Sequence, residues 1–346
     1  MARARKSFVF EILAIVVIIV LVAGFMIRRA GAPSELQRFD DQRVMLGTIV
    51  SIAVFSDNEA EAPAAIDAAF AEMAKTEDVT NRYSEDSEIT RINTNDRGRD
   101  KFRISTDIAP IIGRSLYLSK DVGGAFDVTI APLYDLWSFE EGASLPEESD
   151  IEAALELIDY EEIKVISTAA YLWYPRFFTF DLDGIAKGWA VDRAVASLER
   201  SGIERAIVDA GGDIGLMGTA PEGGWVIGVK HPREDGLLGT VTLDGGSIAT
   251  SGDYQRFVFI DGVRYHHILD PTTGYPARGV ISATVTAELA CDADALATAV
   301  FVMGPERGMQ FVEKTEGVEA IIVTGGEEMG EVLVSSGLVE RFTEGE

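Results

Sequence analysis

Beyond residue 205 the chain is a succession of short β-rich runs broken by turn residues, and this pattern does most to limit its fold. Residues 206–209, 225–230, 238–243, 256–260, 264–269 and 279–287 read as strands. Asp261-Gly262, between two of them, is a strong hairpin signal. Further strands are expected at 44–55, 163–167 and 177–182, and near Ile321 and Val332. Helical spacing is rarer. It appears in 61–75, where Ile66, Phe70 and Met73 share a face, in 105–121 with Gly123-Gly124 as its stop, and in 146–159. It returns in 186–200 with Gly202 just beyond, and in 293–303 and 306–314. Strands outnumber helices and hairpins are frequent, which predicts an α+β fold of largely antiparallel sheets packed by helices. No short-period repeat is present.

The N-terminus is of another kind. Residues 8–27 are apolar except for Glu11, without interruption from 12 to 27. About 20 helical residues span roughly 30 Å, the thickness of the bilayer hydrocarbon. Arg3, Arg5 and Lys6 precede the run. The expected organisation is therefore a membrane anchor at 1–30, a polar linker at 31–43 and one folded domain at 44–340. The positive-inside rule places the anchor in the inner (cytoplasmic) membrane, with the domain on the outer, periplasmic side. A cleaved signal sequence is the alternative, but Arg28-Arg29 stands where a small-residue cleavage site would be expected.

Outside the anchor region, 25 bases face 56 acids, a net charge of −31. Such a surface repels nucleic acid. The single cysteine, Cys291, excludes an internal disulfide and a cysteine-based zinc site.

Several segments carry chemistry. In Cys291-Asp292-Ala293-Asp294-Ala295-Leu296-Ala297-Thr298, an acid and a hydroxyl stand four residues apart and share a helix face. Their oxygens suit a hard cation such as Mg²⁺. The competing explanation is a helix N-cap at Asp292 or Asp294. Asp181-Leu182-Asp183-Gly184-Ile185-Ala186-Lys187-Gly188 leads into a helix whose free N–H groups and Lys187 can meet a phosphate; a tight turn with a surface lysine explains it equally. Asp209-Ala210-Gly211-Gly212-Asp213 is a glycine-rich turn without the dinucleotide-binding spacing. His266-His267 offers a general base near neutral pH, and alternation allows at most one of them to face a site. Ala125-Phe126-Asp127, within an aromatic stretch, reads as core or as a wall for a planar ligand.

Together these segments resemble the ApbE family of FAD:protein FMN transferases, from about Met45 to Val323. The matching pieces, in order, are Leu46-Gly47-Thr48, Asn81-Arg82-Tyr83 with 87–93, and Phe126-Asp127-Val128-Thr129 with Pro132-Leu133. Gly184 to Gly188, 210–213, Ser251-Gly252-Asp253-Tyr254, 267–274 and 293–298 complete them. The resemblance implies a T-fold-like catalytic domain. It also implies transfer of FMN from FAD to a threonine hydroxyl of a target protein, with release of AMP. It implies Mg²⁺ held by Asp294, Thr298 and the backbone carbonyl of Gly184. Leu46, Tyr83, Ala125, Phe126, Asp127, Asp181, Lys187 and Leu269 would line the FAD site, and His267 would be the catalytic base, with His266 facing away. Leu46 stands where many members have methionine. Many members are also lipoproteins, and this chain lacks the cysteine for that tether. Implied acceptors are flavin-bearing subunits of membrane redox pumps, of the sodium-translocating NADH:quinone reductase or Rnf type. Two other functions fit the same residues. An FAD pyrophosphatase would use water in place of threonine, and a flavin carrier would need the pocket but not Asp294, Thr298 and His267.

Overall fold

The computed structural model describes residues 36–95, 101–166, 170–175, 177–221 and 223–345. The expected membrane anchor lies outside them. Among the described residues no helix is long and apolar enough to cross a membrane.

The centre of the fold is an eight-stranded sheet. Its strands are β1 (Gln37–Met45), β2 (Thr48–Ser56), β3 (Ala206–Ala210), β4 (Asp213–Met217), β5 (Gly246–Gly252), β6 (Gly279–Ala287), β7 (Glu319–Gly325) and β8 (Met329–Val334). They lie side by side in the order in which they occur along the chain. From β2 to β8 every pairing is antiparallel. The two-residue link between β1 and β2 permits no other arrangement there. Residues 57–205 are inserted between β2 and β3 and hold the helices α1 (Ala62–Thr80), α2 (Ile108–Asp121) and α3 (Asp183–Arg200). Between β6 and β7 comes α4 (Ala290–Met303), followed by a short helix, Pro305–Val312.

Strand alternation gives the sheet two faces. On one, Val50, Ile52, Val54 and Val208 pack against Phe70 and Met73 of α1 and Val191 and Leu198 of α3. Ala283, Val285 and Ile322 on the same side meet α4. On the other face, Ile248, Ile281, Ile321 and Val323 pack against Trp225, Ile227, Val241 and Leu243 of a three-stranded sheet. A separate hairpin, Phe257–Ile260 with Val263–His266, turns at Asp261-Gly262 as expected. The mixed fold with antiparallel sheets is thus the one read from the pattern.

Three local expectations are corrected. The polar stretch assigned to a linker is strand from Gln37 onward, so ordered structure begins before residue 44. β1 is an edge strand with little burial, which removes the apolar alternation that would have revealed it. The run 44–55 is two strands, broken by a turn at Leu46-Gly47 where both φ angles are positive. Residues 177–182 do not form a strand. Instead, the side-chain amide of Asn93 takes the place of a neighbouring strand: its Nδ2 donates to the Phe180 carbonyl and its Oδ1 accepts the Phe180 N–H, both at 2.8 Å.

Candidate active site

The starts of α3 and α4 meet at one end of the sheet, on its helical face. Gly188 lies at the crossing, where an added Cβ would come 2.2 Å from the Ala290 carbonyl oxygen, so only glycine permits this approach. α4 is not capped by its own acids. Its first N–H groups, those of Ala290 and Cys291, donate to the Asp192 carboxylate of α3 at 2.7 and 2.9 Å. Asp292 is engaged by Arg114, with Nε donating at 2.7 Å. Asp294 therefore lies within the helix and is free of capping work, which settles that alternative.

Asp294 is buried and accepts the Gly188 N–H at 3.1 Å. One turn on, the Thr298 hydroxyl lies 3.0 Å from that of Ser251 at the end of β5. Gly184 is beside them: a Cβ there would sit 3.9 Å from Thr298 Oγ1 and 3.1 Å from the Phe126 ring. Lys187 Nζ pairs with Asp213, the first residue of β4, and lies 3.4 Å from Asp294. Burial, together with Asp294, pushes Asp213 up to about 7, against the pull of Lys187. Burial would lower the Lys187 pKa, but the two carboxylates raise it above its ordinary value. Two acids sharing one ammonium leave a demand for further positive charge. Among the described residues no three His, Cys, Asp or Glu side chains gather as a metal cluster. The donors here are instead one carboxylate, two hydroxyls and nearby backbone, an all-oxygen set that fits a small hard cation.

Beside this group, buried Asp181 accepts from Arg82 at 2.9 Å and from the Asp183 N–H at 2.9 Å. Arg82 also pairs with Asp135 and lies 5.5 Å from the ring centre of Tyr83, which is exposed. Asp183 is pushed up to about 7 by burial and by Asp181, yet it remains open to solvent. A group that is desolvated on most sides but still wetted lines a recess.

His267 has the same character. It is half-buried, and burial lowers its pKa to about 4. Its Nδ1 faces the Arg256 carbonyl at 3.3 Å. A carbonyl can only accept, so Nδ1 carries the proton and Nε2 keeps its lone pair. Tyr134 donates to the His267 carbonyl at 2.8 Å. His266 is buried and turned the other way, against Phe301, and donates from Nε2 to the Ala277 carbonyl.

The remaining candidates stand in the walls. Asp127 accepts from the Thr129 N–H and hydroxyl and from the Tyr160 N–H, so its buried carboxylate braces its own loop. Ala125 packs against the main core. Leu269 is buried with Leu133 and Trp137. Leu46, in the β1–β2 turn, donates its N–H to Glu77 at 3.0 Å. That hairpin meets the turn leading to Asp213, since a Cβ at Gly211 would lie 2.4 Å from the Thr48 hydroxyl. Asp213, Asp183, Ser251 and Arg82 were not singled out from sequence as site residues. Their only signal was membership of the quoted motifs or adjacency to them. Two further clefts, around Trp189 and Arg193 and around Phe55 and Trp225, gather no comparable set.

The family model of the ApbE family matches residues 46–322, most of the chain. The chain belongs to the ApbE family. An FAD:protein FMN transferase of Vibrio cholerae is 35% identical over 251 residues, covering 70% of this chain and 75% of that protein. One from Treponema pallidum is 29% identical over 331 residues, 90% of each. Among solved structures, the ApbE protein of Thermotoga maritima superposes with a TM-score of 0.79 at 35% identity, covering 87% of this chain and 98% of that one. The flavinyl transferase ApbE of Pseudomonas stutzeri gives 0.80 at 27% identity, covering 91% and 99%. This ApbE-family chain is accordingly a transferase.

Proposed function

We propose that the chain transfers FMN from FAD to a threonine hydroxyl of a protein and releases AMP. The observation that carries this reading is at His267, the contact of its Nδ1 with the Arg256 carbonyl. Its Nε2 is unprotonated at neutral pH, at a recess that also holds Asp294, Thr298 and Lys187. In the reaction the acceptor oxygen bonds to the FMN phosphorus. The P–O bond to the AMP phosphate breaks, and its electron pair leaves with AMP. The hydroxyl proton passes to His267 Nε2. Asp294, Thr298 and the Gly184 carbonyl would hold Mg²⁺, which when bound supplies positive charge to the pyrophosphate. Lys187 and the N–H groups at the start of α3 orient the phosphates. Phe126, over Gly184, and Tyr83 provide aromatic walls for the flavin or adenine.

The apolar run at 12–27, with the basic residues before it, supports a tether in the inner membrane and a catalytic domain on the outer side. The fitting acceptors are flavin-bearing subunits of redox pumps of the sodium-translocating NADH:quinone reductase or Rnf type, which present their flavin sites there. The test mixes the full-length protein with FAD, Mg²⁺ and such a subunit, and reads in-gel flavin fluorescence and a mass gain equal to FMN less water. Labelling that chelator abolishes is the expected result. AMP and FMN without labelling would turn the assignment towards FAD pyrophosphatase, and bound FAD without products towards a carrier.

A further inference from the structure

We infer that Arg256 is a further catalytic residue, whose guanidinium binds the phosphoryl oxygens of the flavin nucleotide beside His267. This rests on the flavin-transfer reading above.

The first observation is charge. Among the described residues, three cations act on Asp183 in the recess: Lys187, Arg82 and Arg256. Lys187 is held by Asp213 and Asp294, and Arg82 by Asp135 and Asp181. Among the described residues Arg256 has no carboxylate within ion-pair distance. Its guanidinium lies over the Phe139 ring, 5.6 Å from the centroid, and the residue is exposed. A pyrophosphate entering this acidic recess needs a cation that is not already neutralised, and Arg256 is the one available.

The second observation is register. The hairpin pairs Phe257 with His266. Just beyond the last pair, Arg256 and His267 continue this register, joined by the His267 N–H to the Arg256 carbonyl at 3.0 Å. Residues opposite each other on paired strands project from the same face, with Cβ atoms about 5 Å apart. His266 and Phe257 take the other face, consistent with the burial of His266. The proton acceptor and the free guanidinium therefore project together. The charge of Arg256 acts on His267, Asp183 and Tyr134 alike, which puts it at the recess and not over open solvent.

The chemistry follows from the side chain. A guanidinium presents a planar fork of N–H donors that matches two phosphate oxygens, and stacking on Phe139 fixes its plane. As His267 takes the proton and the P–O bond to AMP breaks, the transferring phosphoryl and the departing AMP both expose anionic oxygens. A guanidinium set in advance opposes that charge without reorganising.

The experiment compares full-length wild type with Arg256→Ala and Arg256→Lys. It measures AMP release from FAD, and the binding of FAD and of riboflavin, which has no phosphate, by flavin fluorescence. Arg256→Ala should lower kcat for AMP release by about 100-fold or more and weaken FAD binding by about tenfold, with riboflavin binding unchanged. Arg256→Lys, which keeps the charge but loses the fork, should fall between the two. An Arg256→Ala protein that keeps kcat/KM within threefold of wild type overturns the assignment. So does one that loses riboflavin binding in step with FAD. If wild type releases no AMP, the transfer reading fails, but the ratio of FAD to riboflavin affinity still decides the phosphate contact.

Discussion

The two faces of the central sheet are built from the same strands and differ sharply at one end. Opposite the three-stranded sheet, Leu216, Ile248, Ile281, Ile321 and Val323 form an apolar cluster, with the hydroxyls of Thr250, Thr284 and Thr286 between them. On the helical face, Met217, Ala249 and Ala283 are likewise apolar. The same parity then places Asp213 at the start of β4 and Ser251 near the end of β5, where α3 and α4 begin. The site thus needs no special strand. It arises where two helix starts arrive at the end of an ordinary one, and there the protein pays for two buried carboxylates, Asp213 and Asp294, gathered around one ammonium.

That contrast can be broken at four points. Asp294→Ala should cost the most, lowering AMP release by about a thousandfold, near 4 kcal/mol of transition-state stabilisation, while circular dichroism stays native. Unchanged turnover would remove Asp294 from the chemistry. Lys187→Met leaves Asp213 and Asp294 buried without their ammonium and should destabilise by about 3–5 kcal/mol in urea unfolding with chelator present. A smaller loss would mean that solvent already screens the pair. Next comes pH. His266 is held near 4 by burial, against an ordinary value of 6.5. Between those values the unfolded chain binds the proton and the folded one does not. The share of stability that His266 contributes, read as the difference between wild type and His266→Gln, should be flat above about 6.5 and fall by roughly 3 kcal/mol as the pH drops to 4. A difference that stays constant over that range would overturn the assignment. Last, Ile321→Val on the apolar face should cost about 1 kcal/mol of stability and leave kcat untouched; a change in kcat would show that the two faces are coupled.

Much of this could be read in the sequence, for reasons the structure makes plain. Residues 225–230 were legible because Trp225, Ile227 and Val229 alternate with exposed neighbours. Asp294 and Thr298 were legible because helical spacing alone puts them on one face. Other parts carried no local signal. β1 is polar because it is an edge, and β5 is made of small residues that bury without looking like strand. Residues 177–182 look like strand, but a distant asparagine satisfies their backbone. Asp213 follows two glycines and reads as a turn, since its pairing with Lys187 is a tertiary fact. Residues 37–43 read as linker because exposed β structure and irregular chain have similar compositions.

The chain-order arrangement of the sheet has a consequence during synthesis. β2 must pair with β3, yet residues 57–205 are made between them. At ribosomal rates of about 5–20 residues per second, the nascent β1–β2 hairpin would keep an unsatisfied edge for on the order of ten seconds. An edge of that kind recruits other chains. The charged side chains of β1, Arg38, Asp40, Asp41 and Arg43, would act over that interval as a guard, keeping the newborn ribbon from finding a second copy of itself before β3 arrives.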